Sequence, residues 1–259
     1  MSFKKQLSAD IARFYADPLG YVLYIFPWDK EDSIRQVPLP EPWRSKYKME
    51  YGPDKWACEF LDQLGEEIRK RKFDGHKAVE PIRFSTASGH GIGKSTLVAW
   101  LVMFIMDTRA NCKGMITANT AEQLRSKTWA EVGKWHKLAL SRDLYEYASG
   151  KGNMTLTRKG HGANWQTMAL TCREENSEAF HGLHAVNSTP FYIFDEASGI
   201  PNVIWTARAG GATDGEEGFL PVRVRRHDGV PHGGRGVPEP PLGRRPPHRV
   251  DVRRGARAR

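Results

Sequence analysis

The stretch Ser88-Gly89-His90-Gly91-Ile92-Gly93-Lys94-Ser95-Thr96 constrains this chain more than any other. It lies between a strand candidate over residues 81–86 and a strongly apolar run over 94–109 that reads as a buried helix. Glycines at 89, 91 and 93 let a strand-to-helix turn fold so tightly that successive N–H groups point inward. The positive N-terminal end of the following helix adds to that field, and the product is a cradle for phosphate oxygens. In such a cradle Lys94 would reach the outer phosphates and the Ser95 hydroxyl would ligate Mg²⁺. Ser88 stands where the strict GxxxxGK[ST] spacing has its first glycine, so the loop alone leaves open a glycine-rich turn with an exposed lysine.

A second element meets the first. Phe191-Tyr192-Ile193-Phe194 is an apolar strand that delivers Asp195 and Glu196 at its carboxyl end. Ligands of parallel α/β sheets gather at that end of the strands. Asp195 is expected to hold Mg²⁺, and Glu196, on the opposite face at strand spacing, to polarise the attacking water. Lys94 and Glu196 are therefore the candidate catalytic residues, Ser88 to Thr96 the ATP-binding segment, and Ser95 and Asp195 the metal ligands.

Periodicity supplies the surrounding order. Residues 55–71 carry Trp56, Phe60, Leu64 and Ile68 in i+4 steps, an amphipathic helix. A short strand over 114–118 leads to a long helix from Thr120, placed as N-cap with Gln123 three residues on, to about Leu140. Alternating segments over 154–158 and 165–171 predict a hairpin. Strands alternating with helices predict a mostly parallel sheet with helices on both faces. Residues 1–45 read as a helical extension and linker, 46–217 as the ATPase domain, and 218–259 as a disordered tail.

Of the formal charge of +9, all but +1 belongs to that tail, where 11 arginines stand against 3 acids between Pro221 and Arg259. Only nine residue types occur there, a composition that builds no core. All nine can be encoded by codons beginning with G or C, which suggests an out-of-frame reading of GC-rich DNA from about residue 218. Cys58, Cys112 and Cys172 lie far apart without metal-ligand spacing and read as reduced thiols. The longest apolar run spans ten residues, 97–106, about half of what a bilayer requires, so no membrane role is expected.

Four segments in order, ASGHGIGKSTLVAWL, MITANTAEQLRSKTWAEVGKWHKLAL, ENSEAFHGLHA and FYIFDEASGIPNVIW, resemble the large terminase subunits of tailed bacteriophages and prophages. The likeness runs from about Phe14 to about Glu217. It implies a P-loop ATPase of the additional-strand, catalytic-glutamate (ASCE) type that uses ATP and Mg²⁺ to move double-stranded DNA. It also implies a ring of subunits working in the bacterial cytoplasm with a portal protein and a small terminase subunit. The family's arginine within the loop is replaced by His90, and the adenine-recognising Gln is missing near Trp56. No strand with a small polar end and no nuclease carboxylate cluster is expected after residue 218, so no nuclease activity is expected.

Three other readings remain open on the sequence. The chain could be a prophage remnant that only binds nucleotide, another ASCE ATPase or helicase, or a nucleic-acid binder acting through its arginine-rich tail. Arg125 and Lys127 on the long helix could meet phosphate, whereas Trp129, Trp135, His181 and His184 read as packing or loop residues.

Overall fold

The computed structural model describes residues 3–34, 37–73, 79–88, 93–118, 120–171, 183, 188–195, 219–226 and 248–251. Helices α1 (Phe3–Ala12) and α2 (Pro18–Ile25) open the chain. Asp17 caps α2 by accepting from the Gly20 N–H at 3.0 Å, and Pro18 begins it at a position where no N–H is needed. The short strands β1 (Val37–Pro38) and β2 (Tyr51–Gly52) pair antiparallel around α3 (Trp43–Tyr47). Leu7, Ile11, Leu19, Tyr21 and Ile25 belong to the same buried core as the helices that follow, so the N-terminal extension is packed into the main body.

Helix α4 (Lys55–Arg71) has the bounds its periodicity predicts and buries Phe60, Leu61, Leu64 and Ile68. Glu67 is buried too, held by Lys70 and Arg71 at 2.8 Å each, which offsets the cost of taking a carboxylate out of water. Strand β3 (Ile82–Ser88) leads towards α5 (Lys94–Thr108), whose residues from Leu97 to Met106 are all buried. A helix apolar on every side has core on every side, which is why its amphipathicity is weak.

After β4 (Lys113–Thr117), Thr120 caps the next helix through a 3.2 Å bond from the Gln123 N–H to its hydroxyl. That helix is not uniform: α6 (Ala121–Gln123) passes into a π-helical turn (Leu124–Trp129) and then α7 (Ala130–Leu138). Strands β5 (Tyr145–Gly150), β6 (Asn153–Arg158) and β7 (Gln166–Ala169) follow, then β8 (Pro190–Phe194), β9 (Phe219–Arg226) and β10 (His248–Asp251). The predicted pairing of the segments around 154–158 and 165–171 is the antiparallel β6–β7 ladder. The tight hairpin is β5–β6, turning at Gly152 with φ 79°.

The main sheet has the order β10-β3-β9-β8-β4-β7-β6-β5. From β10 to β7 neighbours run parallel, and β6 and β5 add an antiparallel edge. Strands β4 and β8 sit inside it and are buried along nearly their whole length, as strands covered on both faces must be. Gly114 on β4 faces Phe191 on β8, and a Cβ at 114 would fall 2.1 Å from that ring's Cζ. Gly114→Ala is therefore expected to cost about 1–3 kcal/mol through overpacking. A lower urea midpoint with an unchanged denaturant slope would be the signature.

The expectation of a disordered tail over 218–259, with no strand from Phe219 onward, is corrected over two segments. Strand β9 lies between β3 and β8, and β10 lies outside β3. The composition of the tail hides a local pattern: Val222-Arg223-Val224-Arg225 alternates with period two and carries β-branched residues. Pro221 has no N–H to give a ladder, and it falls where the register slips against both neighbours, the place a bulge admits proline. The rest of the tail lies outside the described residues.

Candidate nucleotide-phosphate site

The carboxyl end of β3 points its chain towards the amino end of α5, and Gly93 makes the entry with φ 88°. That left-handed conformation is one that glycine adopts without a Cβ penalty, which accounts for glycine directly before Lys94. Lys94, Ser95 and Thr96 form the first turn of α5, where the backbone N–H groups of a helix end and the helix dipole favour an anion. Residues 89–92 of the expected cradle lie outside the described residues, and Ser88 ends β3.

Asp195 follows the last residue of β8. Its N–H donates to the Thr117 carbonyl at 2.9 Å, which fixes it to the end of β4, and it is 8% exposed. The two predicted halves of the site meet: Lys94, Ser95, Thr96 and Asp195 line one cavity of about 260 Å³. Glu196 lies outside the described residues.

The helix after β4 closes this cavity with residues that sequence reasoning passed over. The Thr128 hydroxyl donates to Asp195 Oδ2 at 2.6 Å, and Thr96 donates to Glu131 Oε1 at 2.7 Å. The Trp135 indole N–H donates to the same Glu131 oxygen at 2.8 Å. Thr128, Glu131 and Trp135 recur at helical spacing, a signal that could have singled out this face. Of the two cations considered on this helix, Lys127 lines the cavity, whereas Arg125 is exposed and paired with Glu122 at 3.3 Å. Trp129 and Trp135 are buried, as their reading as packing residues anticipates; His181 and His184 lie outside the described residues.

A second cavity of about 220 Å³ shares Gly93 and Thr96 with the first. Trp28, Trp56, Trp100 and Trp135 contribute to its wall. The last two and Trp28 pack against one another with centroids 5.1 to 5.7 Å apart. Trp28 comes from the N-terminal extension and is anchored by its indole N–H on the Val22 carbonyl at 2.9 Å.

The donor set suits a nucleotide that brings its own magnesium. Among the described residues no three His, Cys, Asp or Glu side chains gather as a metal-holding group. Mg²⁺ with a nucleotide asks less of the protein, since phosphate oxygens and waters fill most positions beside one or two carboxylates. Asp195 and Ser95 in one cavity meet that need. Gln123 Oε1, in the same wall, is buried without a partner among the described residues, as a polar group facing a ligand's place would be. Cys58 and Cys112 are free and buried, and burial pushes the Cys58 thiol up to about 12, so neither is a reactive thiolate. No described helix is long and apolar enough to cross a membrane.

Two solved structures resemble this fold. The large terminase of a thermophilic bacteriophage, in complex with ADP, is 17% identical with a TM-score of 0.41, over 55% of this chain and 33% of that one. The bacteriophage HK97 large terminase is 14% identical with a TM-score of 0.47, over 80% of this chain and 37% of that one. The chain thus matches 33% and 37% of those two proteins' lengths. No protein-family model and no curated protein matches the chain.

Proposed function

We propose that the chain is a Mg²⁺-dependent ATPase of the ASCE class. The observation that carries this reading is the cavity shared by the first turn of α5 and Asp195, at the carboxyl ends of two parallel strands. The strand order supports the class, because β9 stands between the phosphate-loop strand β3 and the acid strand β8 as an additional strand. In the proposed reaction Lys94 and the α5 N-terminus hold and neutralise the phosphates. Ser95 and Asp195 hold the cation, which when bound offsets charge developing on the phosphoryl oxygens. Glu196 takes the proton of the attacking water, and the Gly-rich segment 89–92 supplies backbone N–H donors.

Within that class, we propose a large terminase motor acting on double-stranded DNA. Its support is the ordered run of four sequence segments, three of which, those with Lys94, with Thr128 and with Asp195, carry residues of the cavity. A portal protein, a small terminase subunit and a ring of copies belong to the same proposal, as does work in the host cytoplasm. The deciding experiment is calorimetric titration of the full chain with ATP and Mg²⁺, followed by phosphate-release assays with and without linear duplex DNA. Saturable binding with DNA-stimulated release supports the motor. Turnover that DNA does not change supports only the ATPase, and absence of nucleotide binding sinks both.

The aromatic cavity is the proposed seat of the base. Trp56 approaches the loop closely, with its Cζ2 4.0 Å from where a Cβ on Gly93 would stand. Trp56→Ala is expected to weaken ATP binding by about tenfold, the scale of one base–aromatic stack. Binding of inorganic tripolyphosphate, which has no base, should be unchanged, and equal losses for both ligands would place Trp56 outside base recognition.

A further inference from the structure

The π-helical turn Leu124–Trp129 has a structural correlate in the acid strand. A π turn holds an extra residue relative to an α turn, so it re-aims the side chains around it and disturbs the regular carbonyl pattern. Here the disturbed turn is held from the side by β5. The Tyr147 hydroxyl donates to the Trp129 carbonyl at 2.8 Å, and its ring stacks on Trp129 with centroids 5.3 Å apart and planes within 15°. The Trp129 indole N–H donates back to the Ala148 carbonyl at 2.8 Å. Gly133, one turn on, leaves room for this clamp, since a Cβ there would fall 2.6 Å from the Tyr147 ring.

What the clamped turn presents is Thr128, 1% exposed, with its hydroxyl on Asp195 Oδ2 across 67 residues of chain. A buried β-branched hydroxyl gains nothing for a helix by itself, because threonine is a modest helix former and its hydroxyl must find a partner. Its partner is the one described carboxylate of the nucleotide cavity that stands at a strand end. A bond from a neutral hydroxyl fixes the carboxylate's rotation and keeps its charge, which is what an oriented metal ligand needs. We infer that Thr128 is a positioning residue for Asp195, holding that carboxylate in the orientation that receives the divalent cation of a metal–nucleotide, with the π-helical turn as the device that delivers it. This rests on the nucleotide reading of the cavity.

The test uses the full chain, a fluorescent ribose-labelled ADP as probe, and Mg²⁺ titrated from an EDTA baseline. Thr128→Val keeps the shape and removes the hydroxyl, Thr128→Ser keeps the hydroxyl, and Tyr147→Phe releases the clamp while keeping the ring. The expected result is a rise of about tenfold or more in the Mg²⁺ concentration at half-effect for Thr128→Val. Probe binding in EDTA should be unchanged, Thr128→Ser should restore the wild-type midpoint, and Tyr147→Phe should move it the same way by less. An unchanged Mg²⁺ midpoint in Thr128→Val overturns the inference while leaving the nucleotide site intact. So does equal weakening with and without Mg²⁺, which is what a merely structural threonine gives. A wild-type chain that binds no probe in either condition overturns the nucleotide reading itself, and this inference with it.

Discussion

Lys94→Ala should lower ATP turnover by roughly 100-fold or more, the scale seen when one preorganised charge partner of a transition state is removed. The lysine sits in the first turn of α5, in the cavity that also holds Asp195. Its ammonium is a flexible point charge at a helix end already biased towards anions, so in the proposed ATPase removing it would withdraw a strong attraction for the outer phosphates. Thermal stability should change little, because Lys94 is not part of the buried core, and the core of α5 begins at Leu97. The informative measurement is phosphate release per mole of folded protein, with tripolyphosphate binding alongside. Wild-type turnover in the variant would move the activity away from this cavity. Loss of turnover with loss of fold would show that Lys94 is structural.

Asp107→Ala should produce the largest stability loss of any single change considered, about 3 kcal/mol or more, with the cavity of Lys94 and Asp195 untouched. Asp107 lies in the last turn of α5, and three hydroxyls converge on its carboxylate: Tyr21 at 2.6 Å, Ser141 at 2.6 Å and Tyr145 at 2.7 Å. Those donors come from α2, from the connection after α7 and from β5, so one carboxylate ties the N-terminal extension to the sheet edge. Alanine would leave donors buried without an acceptor, which costs more than the bonds contribute when made.

Burial pushes the Asp107 carboxyl upwards, with the three hydroxyls pulling the other way. A folded-state value above the unfolded one means that the folded chain binds the extra proton. The stability contributed by this proton is fully present below the unfolded value, about 3.9, and is lost as pH rises through the folded value. Asp107→Asn should flatten that slope in urea unfolding from pH 4 upward, at a smaller cost than alanine. A wild-type stability that rises with pH across the same window, unchanged in the Asn variant, would contradict this account.

Much of the frame could be read from residues alone, for definite reasons. Helix α4 has its predicted bounds because its apolar residues lie on one face, and β8 was visible as a short apolar run ending in acids. The meeting of Lys94 with Asp195 followed from the rule that parallel strands present ligands at one end. Other features needed the third dimension. Strand β5, Tyr145 to Gly150, has only two aromatic residues to mark it and follows a helix without a strong turn signal. Thr128 and Glu131 are polar residues on a helix that looks merely solvated in one dimension, and a π turn has no signature in periodicity. Strand β9 was hidden by averaging over a tail whose composition argues against a core, while its own few residues alternate.

The place of β9 also sets a dimension. Adjacent strands stand about 4.8 Å apart, so inserting one strand separates β3 from β8 by roughly 10 Å. Were β3 and β8 direct neighbours, the strand ends that lead to Lys94 and to Asp195 would stand one strand spacing closer. Strand β9, from the stretch that looks least like protein in the sequence, acts as a spacer gauge: it touches no ligand in this account, yet the width of the jaws is its thickness.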